Sequence, residues 1–190
     1  MDALQLIHPV RLRIIYAFAG ERALTATQLQ EQLTDVPKAT LYRHVAVLTD
    51  AGVLEVVDEQ RVRGAMERTY RLRGERARVS DDDAARMSGD DHRRAFSAAI
   101  AATLAEFNAY LDRPGADPVT DGVGYKQFTI WLSPDEVMEL AGEVRASIVA
   151  RARNAPAPGR SPYFLSPILF PIASALEPEG GDMPSRVPPP

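Results

Sequence analysis

The sequence predicts a mainly α fold with a small β component, and three features of its first 73 residues lead there. Apolar residues recur at helical spacing in three short successive segments, each bounded by capping or breaking residues. Past Gly52 the period changes from helical to alternating, and a second alternating run follows Gly64. Three short helices and a hairpin within about 70 residues make a winged helix-turn-helix pattern. A long helix and a small α+β C-terminal unit are expected to follow.

The first helix is expected over residues 9–19. Pro9 suits its first turn, Leu12, Ile15, Tyr16 and Ala19 supply its apolar side, and Gly20 ends it. Leu4 and Ile7 extend that stripe backwards. TATQLQEQL opens the second helix, about residues 25–33, with Thr25 and Gln28 at the spacing of a capping box. Pro37 stands at the threshold of the third helix, which runs to about Ala51 before Gly52. VLEVV and ERTYRLR then read as hairpin strands around the loop DEQRVRGAM.

Residues 1–76 are expected to form the winged helix-turn-helix domain, and residues 77–112 a linker and a dimerisation helix. Ser80 with Asp83 and Ser88 with Asp91 both resemble N-caps, so the start is open between them. Phe96, Ile100, Leu104, Phe107 and Leu111 line one side of this helix, a stripe that must bury against something. The alanines between them permit close approach of a second helix. After Pro114, Gly115 and Pro118, YKQFTIWL alternates as a strand, SPDE starts a helix over about residues 134–153, and YFLSPILF is expected to add a strand. Residues 119–172 are thus expected to form the α+β unit, and the proline-rich stretch 173–190 a disordered tail.

Composition narrows the function. With 190 residues, 45% of them hydrophobic, the chain can bury one domain or two small ones. The lack of cysteine excludes disulfides, thiolate metal sites and cysteine nucleophiles. No signal sequence and no apolar run long enough for a membrane span is evident, so a cytoplasmic protein with no membrane partner is expected. The net charge of −4 is uneven: residues 1–73 hold ten Lys or Arg against nine Asp or Glu, and the remainder twelve against seventeen. Seven arginines fall within residues 61–78, beside only Glu67 and Glu75.

The third helix carries the sharpest chemical signal. With Leu41, Val45 and Leu48 turned inward, Lys38, Tyr42, Arg43 and His44 fall on or near the solvent side of its N-terminal turns. Lysine and arginine neutralise phosphates, while tyrosine and histidine contact phosphates or base edges. On the helix alone, a solvated face with a few ordinary charges accounts for the pattern equally well.

Residues 9–73 resemble the winged helix-turn-helix domain of the ArsR-type bacterial repressors. The resemblance rests on the HP at residues 8 and 9 followed by RLRII, the run TLYRHVAVL, the AG turn at residues 51 and 52, and the return strand ERTYRL. It implies a sequence-specific regulator bound to double-stranded DNA, usually a homodimer. It places Lys38, Thr40, Tyr42, Arg43 and His44 on the DNA face and Arg61 and Arg63 near the backbone or minor groove. Thr27 and Gln28, at the start of the second helix, complete the expected DNA-facing set. The chain departs from the metal-sensing members of that family in having no cysteine, which removes thiolate sensing.

Other chemistry finds little support. His8, His44 and His92 lie in separate segments, GVG at residues 122–124 lacks the spacing of a nucleotide fingerprint, and no serine, histidine and acid set stands out. No metal, cofactor or enzymatic activity is expected. Tyr125, Gln127, Thr129 and Trp131 mix aromatic and polar groups on one strand face, as pockets for a small-molecule effector do, and a dimer contact explains them as well. The expected function is a transcription regulator, most simply a repressor. A winged-helix module that docks proteins is the alternative.

Overall fold

The structure is a computed structural model that describes residues 6–172 except 21, 63, 78, 153, 155 and 156. Its elements in chain order are α1 (Pro9–Ala17), β1 (Ala23–Thr25), α2 (Ala26–Gln32), α3 (Lys38–Asp50), β2 (Leu54–Val62), β3 (Ala65–Leu72), α4 (Asp81–Arg86), α5 (Gly89–Leu111) and α6 (Pro134–Ala152). A single 3-10 turn, Gly74–Arg76, follows β3. The fold is mainly α with one antiparallel three-stranded sheet, ordered β1-β3-β2.

Each of the first three helices starts for a local reason. His8 caps α1, its Nδ1 accepting from the Val10 amide at 3.2 Å, and Pro9 occupies the first helical position. Thr25 and Gln28 form the expected reciprocal capping box on α2. At its far end α3 stops in a Schellman arrangement. The Val53 amide donates to the Leu48 carbonyl and the Gly52 amide to that of Thr49, with Gly52 at φ +70°.

The core forms where these helices meet the hairpin. Ile14, Phe18, Leu29, Leu33, Val36, Leu41, Val45, Leu48, Val53 and Leu54 are buried together. The buried side of α1 is not the expected one. It runs through Arg13, Ile14, Ile15 and Phe18, while Leu12 and Tyr16 are only half-buried and Ala19 is exposed and outside the helix. The cause is Arg13, a cation that turns into the protein. Its Nη1 and Nη2 donate to the two carboxylate oxygens of Asp35 at 2.6 and 2.9 Å, and its Nε donates to Glu106 at 2.7 Å.

The hairpin is longer than expected. DEQRV continues β2 to Val62 and AM begins β3, with Gly64 just before it at φ +87°. Register shifts by one residue at Val57 between Val56↔Tyr70 and Asp58↔Thr69. The three residues of β1 add an unanticipated outer strand, pairing Leu24 with Tyr70.

Both candidate caps beyond the hairpin are used, Ser80 for α4 and Ser88 with Asp91 for α5. In α5 the apolar stripe does not meet α1. Ala98 and Ala102 are the buried residues, and on the same side Glu106 meets Arg13, whereas Phe96, Ile100, Leu104 and Leu111 remain exposed. Small side chains let the two helix axes approach, and a buried arginine then has a carboxylate within reach. This packing joins α5 to the helix-turn-helix body across the boundary expected at residue 76.

The two strands expected in the C-terminal half are not formed. Among the described residues neither 125–132 nor, in a separate unit spanning residues 161–190, 161–172 is assigned to a strand. Alternation specifies which way side chains point in a strand but cannot supply a neighbour for its amides. The helix between them, α6, is present and capped by Ser133 and Glu136, and it buries no residue. The expected tail 173–190 and Leu4 lie outside the described residues.

Because Asp35 is 55% exposed and Arg13 only 3%, removing the two partners should not cost the same. Arg13→Ala is expected to lower unfolding stability by about 2–4 kcal/mol, since it strands Glu106 and opens a cavity, and Asp35→Ala by no more than about 1.5 kcal/mol. Urea unfolding at neutral pH measures both. Equal losses would show that Arg13 is not the shared hub.

Candidate nucleic-acid interface

The geometry of α2 and α3 is set by the turn between them. The Gln30 side-chain amide donates to the carbonyls of Leu33 and Val36 at 3.2 and 2.9 Å, satisfying two main-chain acceptors in the turn. Arg13 holds Asp35 in the same turn. Leu41, Val45 and Leu48 seat α3 in the core, so its opposite side faces out.

On that outward side Lys38, Tyr42 and Arg43 are exposed and Thr40 is partly exposed. The Lys38 ammonium lies 5.6 Å from the centre of the Tyr42 ring, which holds the two together on the first turns. Neither Lys38 nor Arg43 is in an ion pair among the described residues. Pro37 precedes the helix and caps no amide with a side chain, so positive charge and open N–H groups coincide at the start of α3. That combination suits a phosphate.

His44 is placed otherwise than the sequence suggested. It is 6% exposed, and its ring lies against that of His8 in a tilted contact, 4.3 Å between centroids. Neither ring nitrogen finds a hydrogen-bond partner among the described residues. Burial, then the nearby His8, Arg11 and Arg43, push its pKa down to about 4. Burial and the same two arginines also lower His8. A neutral, enclosed imidazole reads no base edge, and His44 belongs to the contact that seats α3 against the start of α1. Helical spacing could have signalled this: His44 lies three residues after Leu41 and four before Leu48, on the inward side.

Thr27 and Gln28 are exposed but already engaged. The Thr27 hydroxyl donates to Glu67 of β3 at 2.9 Å, and the Gln28 carbonyl oxygen completes the α2 cap. The hairpin distributes its charge unevenly. Arg68 pairs with Glu59 and Arg73 with Glu55, each at 2.8 Å, so two arginines of the basic strip are neutralised within the sheet. Arg61 is exposed near the end of β2 and in no ion pair among the described residues, while Arg63 lies outside them. Lys38 and Arg43 on α3 and Arg61 on the hairpin are thus exposed cations in no ion pair among the described residues.

Tyr125, Gln127, Thr129 and Trp131 are all exposed along the unpaired segment, an arrangement too open to enclose an effector. Among the described residues there is no group of three or more His, Asp or Glu that could hold a metal ion, and no helix is long and apolar enough to cross a membrane.

Residues 6–57 match a family of helix-turn-helix domains. The match covers α1, β1, α2, α3 and the beginning of β2, the elements that build and present the outward face of α3. The chain therefore carries a helix-turn-helix domain, a class of fold that places its second helix against DNA. No curated protein matches the chain.

Burial of neutral His44 has a consequence for stability. Its folded pKa lies below the ordinary 6.5, so the unfolded chain takes up the proton first and stability falls as pH drops from about 6.5 to 4. His44→Leu is expected to remove a loss on the order of 2 kcal/mol over that window. Denaturant midpoints of both proteins at pH 7, 5.5 and 4.5 check it. Parallel pH profiles for the two would refute an enclosed neutral imidazole.

Proposed function

We propose that the protein is a sequence-specific transcription regulator that binds double-stranded DNA as a homodimer and represses by occupying promoter DNA, without enzymatic activity, in the cytoplasm. The observation that carries this reading is the outward face of α3, where Lys38 and Arg43 are exposed and in no ion pair among the described residues, beside a helix start without a side-chain cap. The ArsR-type resemblance of residues 9–73 supports the same assignment. In the proposed mode α3 enters the major groove, Lys38 and Arg43 meet phosphates or guanine edges, Tyr42 packs against a base or sugar, and Arg61 reaches the flanking backbone. Two copies related by a two-fold axis would read half-sites about one helical turn apart.

Selection of bound fragments from the source genome, followed by a salt titration on the enriched site, tests this. Arg43→Ala is expected to weaken binding and to reduce the slope of log affinity against log salt by about one, as loss of a single phosphate contact requires. Arg68→Ala, whose side chain is held by Glu59, should leave the slope within error of the parent. A protein-docking module with this fold would enrich no fragment even at low salt, and that outcome would defeat the proposal.

A further inference from the structure

The ion pairs of the fold are of two kinds. Among the described residues, five join the arms of the hairpin or lie three residues apart on one helix, and only the two made by Arg13 bridge separate parts of the fold. Both run through one planar group that is 3% exposed. Its Nε donates to Glu106 of α5 at 2.7 Å, and its Nη1 and Nη2 donate to Asp35, in the turn before α3, at 2.6 and 2.9 Å. The three donors share a plane and cannot turn separately, so a change at one acid is felt at the other.

The two ends of this relay are held differently. On the α1 side of α5 stand Ala98, Ala102 and Glu106, one every four residues. Two methyl groups permit close approach but do not interlock, so Glu106 supplies the directional contact on that side. The turn is the stiffer end. Gln30 ties the carbonyls of Leu33 and Val36 to α2, and Pro37 follows with its ring fixing φ near −57°. Asp35 therefore moves with the turn as a body, and Lys38 begins α3 three residues later.

We infer that Glu106 is a positioning residue for the DNA face: it holds the Arg13 fork in the plane that seats Asp35, so the placement of α5 tunes DNA affinity from outside the interface. The inference rests on the DNA-binding reading proposed above and adds a route by which α5 regulates it. Loss of the Glu106 acceptor leaves a buried Nε–H without a partner, and the guanidinium leaves its plane to find one. Asp35, 55% exposed, turns with it, and the turn that carries Asp35 sets where α3 begins. Binding then weakens through the altered orientation of Lys38 and Arg43, with no phosphate contact removed.

The test compares Glu106→Ala with Glu106→Gln in the full-length protein on the enriched DNA site, at a temperature where both are fully folded by far-ultraviolet circular dichroism. Both variants remove one negative charge, so the long-range field changes equally, but only glutamine keeps an oxygen that accepts from Nε. Glu106→Ala is expected to weaken binding about threefold to tenfold with the salt slope of the parent, and Glu106→Gln to stay within about twofold of the parent. Amide hydrogen exchange at residues 34–41 should quicken in the alanine variant alone. In an Asp35→Ala background the relay is already cut, and the effect of Glu106→Ala should fall below about twofold. Equal affinity for the two Glu106 variants, or an undiminished loss in the Asp35→Ala background, would overturn the inference while leaving DNA binding by the parent intact. A parent that enriches no fragment would overturn both.

Discussion

Arg13 is the interaction on which the arrangement of the helices depends. A guanidinium that is 3% exposed would be costly to bury alone, but its planar fork matches the Asp35 carboxylate with two bonds and leaves Nε for Glu106. The Asp35 hydrogen bonds hold the Arg13 pKa above its ordinary value, and the same contact lowers that of Asp35. One side chain therefore connects α1, the turn before α3, and α5. A lysine could not do so, since a point charge has no geometry that fixes two acids at once. Position of α3 relative to α1 is set partly by this fork and partly by the contact of the His8 and His44 rings.

The electrostatics of the proposed DNA face follow from which charges are already satisfied. Arg13 is consumed by structure, and Arg68 and Arg73 by acids on the neighbouring strand. Lys38, Arg43 and Arg61 remain in no ion pair among the described residues. A protein of net charge −4 can thus present a small positive face without being basic as a whole. Paired arginines on an exposed sheet contribute little stability, but they do hold charge away from a ligand.

The C-terminal half obeys a different constraint. Alternating and helical patterns there form extended chain and helix as their periods require, yet neither buries its apolar side chains among the described residues. A strand becomes stable through its neighbour, and a helix with no buried residue lacks the packing that stabilises most helices in proteins. The exposed stripe Phe96, Ile100, Leu104 and Leu111 on α5 has the same character. Such surfaces are common where a fold is completed by association.

The sequence by itself determined what is local. The Thr25 and Gln28 box, the Ser88 and Asp91 box, Gly52 at positive φ and the inward set Leu41, Val45 and Leu48 are all legible because each depends on spacing of a few residues. Lys38, Tyr42 and Arg43 are legible as outward residues for the same reason. Tertiary structure alone decided the rest. Arg13 reads as a surface charge until Asp35 and Glu106 come within reach, and they lie 22 and 93 residues away. His44 reads as polar, but the His8 ring lies against it and seals it from water. The alanines of α5 and its larger apolar residues compete for α1, and close axial approach favours the smaller set. Segment 125–132 has the period of a β-strand without, among the described residues, the neighbour that makes one, because hydrogen bonding between strands is a property of pairs.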